Sequence, residues 1–168
     1  MVRSLLREDS TTFKGRYYQF DGAVCGPKPM NPKMRIWAGG QGKKRTPRLA
    51  AQYADGFNIP YLSPDEFGER MKTLDRACEE IGRDPAEIAR TVNVGFYLSA
   101  DPKMMEKRKA ELAHLGTGGL LLGSTQEAVD RIAEYERAGA QGLNIAFRPP
   151  VDWEAYQAFL EEVAPKFV

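Results

Sequence analysis

Histidine is nearly absent: His114 is the one such residue in 168. A multi-histidine metal centre is thereby excluded, and a Ser-His-Asp or Cys-His arrangement would have to run through that side chain. Cysteine is almost as scarce. Cys25 and Cys78 make no metal-ligand spacing and fit reduced thiols in a cytoplasmic setting. Apolar runs stay as short as Leu120-Leu121-Leu122, against the roughly 20 residues a membrane helix needs. Net charge is small as well. Lys+Arg of 24 against Asp+Glu of 23 leaves +1, so no strong field recruits nucleic acid or an anionic membrane. The first residues, Met1-Val2-Arg3-Ser4-Leu5-Leu6-Arg7, are too charged for a secretory signal.

What is present is an ordinary globular composition, 42% hydrophobic and 28% charged in 18.8 kDa. That fits one domain that folds without disulfides. Helix starts are legible. Ser63-Pro64-Asp65-Glu66 is a capping box with proline at the first helical position. Phe67, Met71, Leu74, Cys78 and Ile81 then form one apolar stripe, closed by Gly82. Cys78 lies on the stripe and reads as a small core residue. Ser124-Thr125-Gln126-Glu127 is a second box, followed by Val129, Ile132 and Ala133. Asp84-Pro85, Asp101-Pro102 and Asp152-Trp153 open further helical segments, and residues 47–54 form another.

Between the helices lie β-type runs at residues 35–38, 56–59, 91–98 and 142–147. Most are short and continuously apolar, as in strands covered by helices. Strand then helix, four times over, is the pattern of an α/β fold with a parallel sheet. Residues 11–32, with Phe13, Tyr17, Tyr18 and Phe20 before Pro27, Pro29 and Pro32, read as an extended excursion or small hairpin.

The most informative stretch runs from Ile36 to Asn58. A strand ends at Ala38, and Gly39, Gly40 and Gly42 let main chain approach a ligand closely. A helix begins near Thr46-Pro47, with Lys43, Lys44 and Arg45 beside its exposed N–H groups. Such a turn is an anion site by chemistry. Thr46 serves either as the N-cap or as a hydroxyl donor to a phosphate. The spacing fits neither a Walker A loop nor a G-x-G-x-x-G fingerprint. A tight strand-to-helix turn with solvated lysines accounts for the same residues.

The residues 12–18, Thr-Phe-Lys-Gly-Arg-Tyr-Tyr, the turn Pro27-Lys28-Pro29 and the stretch from Ile36 to Asn58 resemble the second half of luciferase-like flavin and deazaflavin oxidoreductases. Gly82-Arg83-Asp84-Pro85-Ala86-Glu87-Ile88, Gly123 to Glu127 and Ala138 to Leu143 extend the resemblance in the same order. It implies an α/β fold of four parallel βα units, the second half of a (β/α)8 TIM barrel with the N-terminal half missing. Residues 1–168 would be a single luciferase-like domain, a partial barrel, with 11–32 as an excursion within it. The resemblance further implies that Gly39, Gly40, Gln41, Gly42 and Thr46 bind the cofactor phosphate or its neighbouring ribityl chain. The cofactor implied is the deazaflavin coenzyme F-420, or FMN.

Other residues have simpler readings. Asn58 closes the second strand, where barrel enzymes place active-site groups. Asn93 and Asn144 read as satisfied core amides. His114 reads as a surface residue at a helix C-terminus. Trp37 and Trp153 read as packing anchors, and Glu79-Glu80 and Glu161-Glu162 as solvent-facing pairs. No catalytic or metal-ligating residue is assigned.

The expected function is hydride transfer with coenzyme F-420 on a small organic substrate, with an FMN-dependent monooxygenase of the same superfamily as the alternative. A non-catalytic partial barrel, binding only a phosphate group or a partner chain, is the rival from another class. A free-standing open α/β nucleotide-binding domain is the third reading. Four strands cannot close an eight-stranded barrel. Open edges near Ile36 and Ile145, and inward faces carrying Trp37, Phe57 or Phe96, therefore predict a homodimer or other self-association. Partners other than a small-molecule substrate and a second copy, namely nucleic acid or membrane, are not expected.

Overall fold

Both capping boxes form as their spacing dictates. Ser63 starts the helix Pro64–Glu79 and Ser124 the helix Thr125–Arg137; each serine hydroxyl accepts the N–H three residues on, and each Glu reaches back to the serine N–H. Asp101 and Asp152 cap the helices Pro102–Leu112 and Trp153–Ala158 by side chain alone, accepting from the N–H groups of Lys103 and Ala155. The computed structural model describes residues 1–99, 101–147 and 152–167. These form two compact units, Met1–Ile36 and Trp37–Val168.

The first unit holds a short helix α1 (Val2–Arg7) and an antiparallel hairpin of β1 (Thr11–Lys14) and β2 (Gln19–Ala23). The Lys28 ammonium donates to the carbonyls of Leu5 and Glu8. It thereby neutralises the negative end of α1.

The second unit alternates β3 (Trp37–Gly39), α2 (Arg45–Tyr53), β4 (Gly56–Pro60), α3 (Pro64–Glu79), β5 (Ala89–Leu98), α4 (Pro102–Leu112), β6 (Leu120–Gly123), α5 (Thr125–Arg137), β7 (Gly142–Ala146) and α6 (Trp153–Ala158). All sheet pairings here are parallel. The four strands read from the sequence are present, and a fifth, β6, joins them at the Leu120-Leu121-Leu122 triplet. Its place follows from hydrogen-bond parity, because alternate residues of a parallel strand bond to opposite neighbours. Tyr61 N–H bonds to Asn93 O, Gly95 N–H to Gly119 O and Ser99 N–H to Gly123 O. Those odd-numbered β5 residues share one edge, so β4 and β6 lie end to end along it. Gln141 N–H bonds to Arg90 O, which puts β7 on the opposite edge. Among the described residues, β3 and β7 each pair on one side only.

The helix-covered face of the sheet carries the core: Phe57, Ile59, Val92, Val94, Phe96 and Leu98, packed with Phe67, Met71, Leu74 and Cys78 of α3. Burial pushes the Cys78 thiol pKa up, which leaves it a poor nucleophile. Phe57 and Phe96 therefore face the helices, contrary to the inward placement expected of them. They have the opposite parity to Trp37, and a strand side chain changes face with every residue. Trp37 does face inward, where its indole fills the space a Cβ on Gly56 would occupy. Ile81 falls beyond the end of α3 and is 47% exposed, so the stripe stops at Cys78. Trp153, at 70% exposure, anchors little beyond an edge contact with Tyr156. His114 is exposed in a 3-10 turn after α4.

Hydrogen bonds from the cap serines hold the carboxyls of Glu66 and Glu127 below the usual glutamate range. A carboxyl depressed in the folded state stabilises above its unfolded pKa, and that stabilisation is lost as pH falls. The double variant Glu66→Gln, Glu127→Gln is expected to be less stable than the parent at neutral pH. The gap should narrow below about pH 4.3. Urea unfolding at the two pH values checks this, and a gap that stays constant would show that the charges do not act at the caps.

Candidate cofactor site at the C-terminal ends of the strands

The turn from β3 into α2 is built by its glycines. Gly40 has φ of 133°, a conformation side-chain-bearing residues rarely adopt, and its N–H bonds to Asn58 O at 3.2 Å. Gln41 Nε2 donates to Pro60 O at 2.7 Å, which ties the turn to the end of β4. A Cβ on Gly42 would collide with Thr46 Oγ1, so main chain and hydroxyl lie directly against each other. The structure thus gathers Gly39, Gly40, Gln41, Gly42 and Thr46 in one turn at the C-terminal end of the sheet.

Helix α2 begins two residues earlier than expected, at Arg45. Its N-cap is Lys44, without a side-chain hydrogen bond, and Thr46 lies inside the first turn. Thr46 is therefore not the cap. The consequence is electrostatic. Helices α3, α4, α5 and α6 fill their N-terminal N–H groups with Ser63, Asp101, Ser124 and Asp152. Helix α2 has no such acceptor of its own and no acidic residue in its first turn. Its first N–H groups and the positive end of its dipole remain available to an anion. Lys43, Lys44 and Arg45 are exposed around it. The Lys43 charge also reaches Glu66, where it adds the smallest of the effects lowering that carboxyl.

The sheet face opposite the helices lies below this turn. It carries Asn58 on β4, Thr91 and Asn93 on β5 and Asn144 on β7, neighbours by register. Asn144 Nδ2 donates to Asn93 Oδ1 at 3.1 Å and to Asn58 Oδ1 at 3.2 Å, and Thr91 Oγ1 donates to Asn58 Oδ1 at 2.9 Å. Asn58 and Asn93 are half-buried and Asn144 is exposed. Asn93 and Asn144 are therefore not fully satisfied core amides. One-strand reasoning misses this grouping, because the three residues are far apart in sequence and only strand register aligns them. The signal available was an amide at the middle of each of three parallel strands; Asn58 lies at mid-strand in β4 and does not close it.

By parity, the strand residues on this open face include no carboxylate, histidine, lysine or arginine. Among the described residues, no group of three or more His, Cys, Asp or Glu could hold a metal ion. Glu79, Glu80, Glu161 and Glu162 are exposed. Among the described residues, no helix is long and apolar enough to cross a membrane.

Parallel strands with helices on one face, and a glycine turn opening an uncapped helix at their C-terminal ends, define a partial barrel of the TIM class. Residues 1–117 match the luciferase-like monooxygenase family, and the chain belongs to that family. It is 25% identical over 141 residues to an uncharacterized protein of Mycobacterium tuberculosis and equally to one of Mycobacterium bovis. Each match covers 83% of this chain and 47% of the relative, so the chain spans about half the length of these curated relatives. Among solved structures, an F-420-dependent secondary alcohol dehydrogenase in complex with an F-420–acetone adduct superposes with a TM-score of 0.80 at 19% identity, over 99% of this chain and 58% of that one. A coenzyme F-420-dependent tetrahydromethanopterin reductase from Methanopyrus kandleri gives 0.77 at 18%, over 99% and 61%. A monooxygenase from Streptomyces bottropensis gives 0.74 at 15%, over 99% and 59%. These likenesses show a shared fold.

Proposed function

We propose that the chain is part of a luciferase-like oxidoreductase that transfers hydride between the deazaflavin coenzyme F-420 and a small organic substrate. The observation carrying this reading is the uncapped start of α2 behind the Gly39–Gly42 turn. The residues fit the group implied. The main-chain N–H groups of the turn and first helical residues, with the Thr46 hydroxyl, would hold its phosphate. Lys43, Lys44 and Arg45 would add positive potential from solvent. When bound, the deazaflavin ring supplies the hydride chemistry. The chain's part is to position the ring against the open sheet face and to shield it.

FMN is the alternative cofactor, favoured by the family's description as monooxygenases and by the S. bottropensis neighbour. A non-catalytic phosphate-binding partial barrel is the second reading. The absence of a carboxylate, histidine or lysine among the open-face strand residues favours it. We further propose that the chain acts in the cytoplasm and self-associates through the free edges of β3 and β7. Titration of the purified chain with coenzyme F-420 and with FMN, followed by absorbance and fluorescence, tests the cofactor. Light scattering on the same samples tests the assembly. Tighter binding of F-420 by a dimer is expected. Tighter binding of FMN would reverse the cofactor choice, binding of neither would leave the partial barrel, and a compact monomer would overturn the assembly.

A further inference from the structure

The amide cluster on the open sheet face has hydrogen-bonding capacity left over. Both lone pairs of Asn58 Oδ1 are engaged, by Thr91 Oγ1 and by Asn144 Nδ2, and Asn93 Oδ1 takes the second proton of Asn144 Nδ2. Among the described residues, Asn58 Nδ2, Asn93 Nδ2 and Asn144 Oδ1 make no hydrogen bond. Two donor groups remain, with one acceptor on the residue that bridges them.

We propose that Asn58, Asn93 and Asn144 recognise a neutral cyclic imide edge, O=C–N(H)–C=O, on a bound molecule. Such an edge presents acceptor, donor, acceptor, the complement of what the cluster leaves open. Three further observations point the same way. No charged side chain belongs to this face of the strands, so it offers no counter-charge to a carboxylate or phosphate. Gly39 and Gly142 flank Asn58 and Thr91 by register, and Ala146 follows Asn144, while Leu120 and Tyr97 fill the space over Gly95. Small residues there leave room for a flat ring to reach the amides. The internal bonds also fix the amide orientations before a ligand arrives, which lowers the entropic cost of binding.

The proposal rests on the reading that ligands occupy the C-terminal end of the sheet, but it fails separately from the phosphate turn. The imide has two sources, the pyrimidinedione ring of a flavin or deazaflavin and an imide-bearing substrate. The test uses the ¹⁵N-labelled full chain. Glutarimide is expected to shift the side-chain NH₂ signals of Asn58 and Asn93, and inorganic phosphate to shift the backbone signals of Gly40 and Gly42. N-methylglutarimide, which lacks the donor, should bind at least about tenfold more weakly. Asn144→Ala, or Asn93→Ala as a second variant, should weaken glutarimide about tenfold while leaving the phosphate response intact. Riboflavin that displaces glutarimide assigns the edge to the cofactor ring; glutarimide binding without riboflavin binding assigns it to a substrate. The proposal is overturned if glutarimide moves neither asparagine, if its N-methyl derivative binds equally, or if folded variants bind it as the parent does. A lost phosphate response alone would remove the turn and leave the imide site standing.

Discussion

Gly119→Ala is expected to cost about 3 kcal/mol of stability, the range reserved for changes a packed structure cannot absorb. A Cβ on Gly119 would overlap the main-chain carbonyl carbon, Cα and oxygen of Tyr61. Neither side can give way. Tyr61 holds φ of 54°, unusual for a residue with a side chain, and its N–H is bonded to Asn93 O at 2.8 Å. The next residue is pinned too. The hydroxyl of the fully buried Tyr135 donates to Leu62 O at 2.6 Å and to Gly118 O at 3.2 Å. Burial pushes the pKa of that hydroxyl up to about 12, so it stays a donor at any ordinary pH. Relief could come only by lifting β6 from β5, exposing Leu121 and breaking the bond from Gly95 N–H to Gly119 O. Gly116→Ala is the control, since φ there is 77° and nothing lies within 4 Å of an added Cβ. It should cost about 1 kcal/mol, for the backbone conformation alone. Denaturant unfolding of both variants decides, and equal losses would mean that the junction between β4 and β6 is not tight.

Gly40→Val is expected to weaken binding of FMN or coenzyme F-420 at least tenfold, about 1.4 kcal/mol, in a chain that still folds. At φ of 133° a β-branched residue is strained whatever the space around it. The turn must therefore rearrange. The bond from Gly40 N–H to Asn58 O and that from Gln41 to Pro60 O are the two that aim it. Once they are lost, the main-chain N–H groups no longer converge with the start of α2. The turn lies outside the buried core, so the backbone strain should cost about 1–3 kcal/mol and leave the chain folded. Calorimetric titration beside a circular-dichroism spectrum checks this. Unchanged affinity in the folded variant would remove the turn from the cofactor account.

Much of this architecture is local in origin, and local features are readable. Ser63 and Ser124 carry their capping partners three residues away, so both helix starts are written in four consecutive residues. The four main strands and the glycine turn are likewise short-range patterns. Thr46 shows the limit even there. Capping depends on backbone angles at one residue, and the chain takes its non-helical turn at Lys44 instead.

The sequence by itself determined the α/β alternation, the family and the glycine turn, since each depends on residues close along the chain. Only the tertiary structure decided which way the strand side chains point and which distant residues meet. Phe57 and Phe96 turned toward the helices because a shift of one residue in strand phase exchanges the two faces of a sheet. The same register aligned Asn58, Asn93 and Asn144, and hydrogen-bond parity set β6 end to end with β4. Those outcomes are fixed by pairing between segments dozens of residues apart, which no local pattern in the chain encodes.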